Sequence, residues 1–168
     1  HLVRYQSYLS RVNQFEKNAQ TLADEFQVRE GYINQNLQIM HRVRELAVTG
    51  ANGTYTSDDL KNMATEVNEL LKEMIQNANA VGPDGNTLFS GTRTKGIAFD
   101  VSMGNVDGAN EPLIAEVRYN GNVGVNRIEV DENAYLTVDN SGNKTFWAER
   151  QQIMGQRDLT SWQSSSDS

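Results

Sequence analysis

From Tyr5 to Ala47 the apolar side chains recur in steps of three, four and seven: Tyr5, Tyr8, Val12, Phe15, Ala19, Leu22, Phe26, Ile33, Met40, Val43 and Ala47. Such steps gather residues on one side of an α-helix, so the pattern predicts a long helix with a heptad-like seam. Polar Arg29 and Asn36 stand at two of the expected seam positions. Leu9, Val28, Leu37, Ile39 and Leu46 fall off the seam and widen it into more than one face. Residues 1–49 hold no proline and a single glycine, Gly31, as an uninterrupted helix requires. A helix of about 47 residues is a rod about 70 Å long.

The stretch Thr49–Tyr55 breaks the pattern with Gly50, Asn52 and Gly53, after which Thr56 and Asp59 have the spacing of a capping box. A second helix is expected from there, with Leu60, Met63, Val67, Leu70, Leu71, Met74, Ile75 and Ala78 at helical steps and a stop before Gly82-Pro83-Asp84-Gly85. At about 24 residues it covers only about 36 Å of the first helix in an antiparallel hairpin. The seam from Tyr5 to Leu22 therefore needs another companion, from elsewhere in the chain or from a neighbouring subunit.

Beyond Gly96 the period changes to short strand-like runs, 97–101, 113–119, 127–130 and 134–138, separated by Gly, Asn and Asp clusters. The fold class expected is α+β: a helical rod over 1–95 including a hairpin segment 86–95, a β-rich outer domain over 96–158, and a polar tail over 159–168 that reads as disordered or as an edge of truncation.

Charge and chemistry narrow the function. The formal charge of −7 repels phosphate backbones, so nucleic acid is not an expected partner, and no apolar run reaches membrane-spanning length. Without cysteine there are no thiolate nucleophiles, thiolate zinc sites or disulfides. With only His1 and His41, a histidine metal centre has little to draw on; His41 and Glu45 lie one turn apart, but Arg42 and Arg44 oppose a cation. Asp139, Ser141 and Asn143 alternate like a calcium loop but lack its glycine and bidentate glutamate, so a hairpin turn through Asn140-Ser141-Gly142 is expected instead. The acidic pairs Asp58-Asp59 and Asp131-Glu132 fit a helix start and a turn. No catalytic residue, cofactor or metal is assigned.

The segment Leu37-Gln38-Ile39-Met40-His41-Arg42-Val43-Arg44-Glu45-Leu46-Ala47-Val48-Thr49-Gly50-Ala51-Asn52-Gly53-Thr54 resembles bacterial flagellin across the end of one rod helix and the loop to the next. The similarity extends over residues 1–95. Further on, Asn86-Thr87-Leu88-Phe89-Ser90-Gly91-Thr92-Arg93-Thr94 and Val117-Arg118-Tyr119-Asn120-Gly121-Asn122 are similar to the flagellin-like junction proteins of the hook-associated protein 3 family.

That resemblance implies a structural subunit of the bacterial flagellum joining hook to filament. A flagellin filament subunit is the alternative, and an adhesive or ligand-binding β module, with Trp147 and Tyr135 in a pocket, is a reading of another class. It implies secretion by the flagellar export apparatus, extracellular or, for an internal flagellum, periplasmic location, and self-association in a ring or tube with other hook-associated proteins and flagellin. It also implies that terminal segments and a carboxy-terminal rod helix lie outside this sequence. The expected subunit contacts are Tyr5, Tyr8, Val12, Phe15, Ala19 and Leu22. By match to flagellin, Arg42, Leu46 and Glu66 occupy receptor-contact positions.

Overall fold

The computed structural model describes residues 2–106, 109 and 111–146. The first helix, α1, runs Leu2–Asn52 and its 51 residues make a rod about 76 Å long. It ends at the glycine-rich stretch foreseen from the sequence. The next helix, α2, covers Ser57–Ala78. Thr56 caps it: its hydroxyl accepts from the Asp59 N–H at 3.2 Å, and the Asp59 carboxylate accepts from the Thr56 N–H at 3.0 Å.

The hydrogen bonds from the Thr56 hydroxyl and N–H hold the Asp59 carboxyl below its ordinary value. A carboxyl with a depressed folded pKa contributes stability above its unfolded pKa and loses it as pH falls through the folded one, so the α2 start loosens only in acid beneath the usual aspartate range. Thr56→Ala removes the cap, and its Tm is expected about 2–4 °C below wild type at neutral pH. That gap should narrow on acidification; a gap that widens in acid assigns the cap to something other than this ionised pair.

After α2 the chain turns through Gly82–Gly85, where the Gly85 N–H reaches the Gly82 carbonyl at 3.0 Å and Val81 bridges to Thr87. Two antiparallel hairpins follow: β1 (Phe99–Gly104) with β2 (Leu113–Tyr119), and β3 (Val125–Asp131) with β4 (Ala134–Asp139). In register, Phe99 faces Tyr119 and Val101 faces Val117; Asn126 faces Val138 and Ile128 faces Leu136.

The turn of the second hairpin falls at Asp131–Ala134, with Asn133 at φ 60°. The expected hairpin at Asn140-Ser141-Gly142 is corrected. Ser141 bridges to Ser90 and a short helix, α3, begins there and covers Gly142–Phe146. The reason is tertiary: the Gly142 N–H donates to the Phe89 carbonyl at 2.7 Å, an approach that a Cβ at Gly142 blocks at 2.6 Å.

Two cores hold these pieces. One joins Ile75 and Ala78 of α2 to Ala98 and Phe99, with Val117, Tyr119 and Phe146 packed against it. The other joins Ala80, Leu88 and Phe89, backed by Val28 and Tyr32 of α1 and again by Phe146. Both cores therefore draw on residues from either side of position 95. The Asn79 carboxamide adds a strand-like pairing, donating to the Phe99 carbonyl and accepting from its N–H, each at 2.7 Å. The polar tail expected over 159–168 lies outside the described residues.

Candidate functional site

The long helix carries two parallel rows of apolar positions at intervals of seven, and the fold treats them oppositely. Tyr8, Phe15, Leu22, Arg29, Asn36 and Val43 turn inward: Phe15 and Val43 are half-buried, while Leu22, Arg29 and Asn36 are buried. Tyr8, at the open end of this row, stays 55% exposed. Ile39 and Leu46, which fall off the sequence seam, are the buried partners of this row further along. The other row, Tyr5, Val12, Ala19, Phe26, Ile33, Met40 and Ala47, is exposed from end to end, its large side chains most at Tyr5 (68%) and least at Val12 and Ile33 (40%).

Of the expected contacts, then, Tyr5, Tyr8, Val12 and Ala19 are open, Phe15 is partly covered and Leu22 is 2% exposed. Leu22 is a correction: it is closed off within the chain where the β3–β4 hairpin lies along α1. There Asn18 donates to the Glu129 carbonyl at 3.0 Å and Arg11 sits 3.6 Å from Glu132. Steps of three and four join the two rows, so the seam expected from the sequence spans both. Phe26, Ile33 and Met40 belong with the open positions, and the signal that separates them is the interval of seven taken one row at a time.

Two polar groups foreseen in the seam are indeed inside it. Asn36, 5% exposed, donates to the Met74 carbonyl at 3.3 Å and accepts from the Asn77 carboxamide at 2.9 Å, tying α1 to α2. Arg29 donates to the Leu88 carbonyl at 3.3 Å, pairs with Glu25 at 3.1 Å and lies 5.8 Å above the Phe26 ring. Buried carboxamides of this kind fix which layers of two helices meet, since any other register leaves them unpaired.

At the far end of the hairpin, Arg42 reaches across to Glu66 at 2.8 Å and along its own helix to Glu45 at 3.3 Å. The hydrogen bond to Glu66 raises the Arg42 pKa further above its ordinary value. Both partners are near half exposed, so the pair contributes little stability. Leu46 is buried, so of the three receptor-matched positions the fold presents the ion pair and withholds the leucine. Among the described residues no group of His, Asp and Glu is arranged to hold a metal ion, and no helix is long and apolar enough to cross a membrane. Tyr135 is exposed on β4, while Trp147 and Trp162 lie outside the described residues.

A rod helix with a buried polar-punctuated seam, a capped return helix and two β hairpins defines the architecture, and comparison with known proteins gives its family. Residues 2–94 match the bacterial flagellin N-terminal helical region, and the chain belongs to that family. It is 35% identical over 88 residues to the flagellar filament 31.3 kDa core protein of Treponema maltophilum, covering 52% of this chain and 31% of that protein.

It is 23% identical over 119 residues to flagellar hook-associated protein 3 of Escherichia coli, covering 71% of this chain and 33% of that one. The crystal structure of Xanthomonas campestris FlgL superposes with a TM-score of 0.69 at 26% identity, over 83% of this chain and 41% of that chain. The chain thus spans about a third of these two relatives. The α+β architecture expected from the sequence is the one observed, and it is shared with that neighbour.

Proposed function

We propose that this chain is part of a structural subunit of the bacterial flagellum, placed where hook meets filament, that packs by its rod against copies of itself and against other hook-associated proteins and flagellin. It has no catalytic role, and its site of action is the flagellum, reached through the export apparatus. The observation that carries the reading is the open apolar row on α1. A helix draws most of its stability from burying such a row, and here every member of the row keeps substantial exposure among the described residues, from Tyr5 at 68% down to Val12 and Ile33 at 40%.

The similarity to FlgL reaches past residue 94 into the β hairpins, which favours the junction reading. The filament reading rests on the higher identity to the Treponema filament protein, confined to 88 residues.

The test substitutes Val12→Asp and Ile33→Asp together in the full-length protein of a flagellated cell. Each residue is 40% exposed and outside the two cores, so the chain keeps its helical circular dichroism, whereas a carboxylate buried without a partner at a contact is prohibitive. The expected result is exported subunits, hooks without attached filaments and loss of swimming. Normal filament attachment refutes the reading.

A further inference from the structure

Between the 87–96 loop and the residue that follows β2 lies a pocket of about 340 Å³, lined by Ser90, Arg93, Lys95, Gly96, Ile97 and Asn120. Its shape is held from within the chain. The Thr87 N–H donates to the Thr94 carbonyl at 3.1 Å, the buried Ser90 hydroxyl donates to the Arg93 carbonyl, and the Arg93 Nη1 donates to the Asn120 carbonyl at 2.8 Å. That last bond fixes the guanidinium at the pocket wall, and no other hydrogen bond engages it among the described residues. Lys95, exposed on the same loop, has neither a hydrogen bond nor an ion pair among the described residues.

No carboxylate lines this pocket, so two exposed cations stand together without a counter-charge in a chain whose formal charge is −7. A fixed fork of donors beside a flexible ammonium group is complementary to a pair of carboxylates. Three pairs of adjacent carboxylates occur among the described residues, and two of them are engaged. Asp24 accepts from Gln20 at 2.8 Å and Glu25 pairs with Arg29 at 3.1 Å; Asp59 is tied into the Thr56 cap and Asp58 lies 3.6 Å from Lys61.

The third pair, Asp131 and Glu132, is exposed at the β3–β4 turn, where Asp131 pairs with Ala134 and the connection narrows to two residues. The Asp131 Oδ1 accepts from the Glu132 N–H at 2.7 Å, which leaves the second oxygen free. Glu132 stands 3.6 Å from Arg11, with both side chains more than half exposed, and a pair so open to water holds it weakly.

We propose that the Asp131-Glu132 turn of one copy docks in the Arg93–Lys95 pocket of a second copy. The proposal rests on the self-packing reading above and names its polar contact. Copies of charge −7 repel one another, so a stable contact between them needs a place where opposite charges meet, and here two carboxylates meet two cations. Turn and pocket are unlike surfaces of one chain, which makes the contact heterologous. Each copy that binds still offers a turn or a pocket to the next, so the series closes as a ring or continues as a tube.

Sedimentation equilibrium of the full-length protein tests this by charge reversal. Arg93→Glu with Lys95→Glu is expected to weaken self-association about ten-fold, and Asp131→Lys with Glu132→Lys by a similar factor. The second reversal makes the chain less negative overall, so a loss there runs against the general relief of repulsion and marks a local contact. Lys95→Glu alone, at a side chain with no partner in its own chain, is expected to keep the wild-type Tm and to lose about three-fold.

All four changes in one chain make turn and pocket opposites again, and association is expected to return to within about two-fold of wild type. An equal mixture of the two reversed proteins is expected to associate likewise, each filling the other's pocket. Wild-type or tighter association in either reversal, or a loss that neither the combination nor the mixture recovers, overturns the turn-and-pocket contact while the packing reading stands. A wild type that is monomeric at every concentration overturns the packing reading and this contact with it.

Discussion

In urea unfolding, Phe89→Ala is expected to lower the stability of the chain by about 3–5 kcal/mol, with the whole described fold lost in one transition. Phe89 is 2% exposed and its ring meets Phe146 edge-on, centroids 5.1 Å apart. Phe146 in turn meets Phe99 at 5.7 Å, and Phe99 meets Tyr119 at 5.0 Å, so four rings run from the core under α1 to the core under β2. Edge-to-face pairs add about 0.5–1.5 kcal/mol each to the area they bury.

Alanine keeps the backbone bonds that the Phe89 carbonyl accepts from Gly142 and Tyr119, so the loss isolates the ring. Phe89→Leu, nearer in volume, is expected to lose under about 1.5 kcal/mol. A loss for Phe89→Ala as small as that, or separate melting of rod and hairpins, shows that the two cores are energetically independent.

The one-transition expectation bears on what the sequence allowed one to read. Helix ends were legible because their causes are local: α1 passes through Gly50 and stops at Asn52, just before Gly53, and Thr56 with Asp59 starts α2. Strand runs were legible from period, with β2 at 113–119 as read; β1 begins two residues late, at Phe99, where pairing with Tyr119 starts.

What failed depended on neighbours. Whether Leu22 or Phe26 turns inward is decided by where α2 and the β3–β4 hairpin lie, and nothing within α1 states that. Asn140–Gly142 has the composition of a turn, yet its backbone is drawn to Phe89 and Ser90, more than 45 residues away. The buried places of Arg29 and Asn36 were readable in kind, since they interrupt a heptad; their partners, the carbonyls of Leu88 and Met74, were not. The open row recurs at intervals of seven, but steps of three and four tie it to the inward row beside it, so periodicity alone does not separate the two.

Gly91→Ala is expected to cost about 2–5 kcal/mol, more than any other single methyl added at a described glycine turn of the 82–96 segment. Gly91 has φ +72°, in the left-handed region that glycine alone enters freely, and an added Cβ falls 2.3 Å from the Asn122 carbonyl oxygen. That oxygen has little freedom to withdraw. It accepts from the Tyr119 hydroxyl at 3.0 Å, while the Asn122 N–H is held by the Ser90 carbonyl at 3.1 Å and its side-chain oxygen accepts from the Thr92 N–H at 2.9 Å. On the other flank the Gly91 N–H is held by the Asn140 carbonyl at 2.9 Å.

Gly85 separates the two contributions, because it has φ +77° with nothing within 4 Å of a built Cβ. Gly85→Ala therefore carries only the backbone term, about 1–2 kcal/mol, and the excess at Gly91 measures the close approach of three chain segments. Hydrogen exchange locates it. In Gly91→Ala the amides of Asn122, Gly124 and Gly142 exchange faster, while those around Ile39 and Leu46, in the α1–α2 seam, keep their protection. Equal effects at Gly85 and Gly91 show that the segments give way at no cost, and the hairpins are then held to the rod by the ring packing and by the Asn18–Glu129 and Asn79–Phe99 hydrogen bonds.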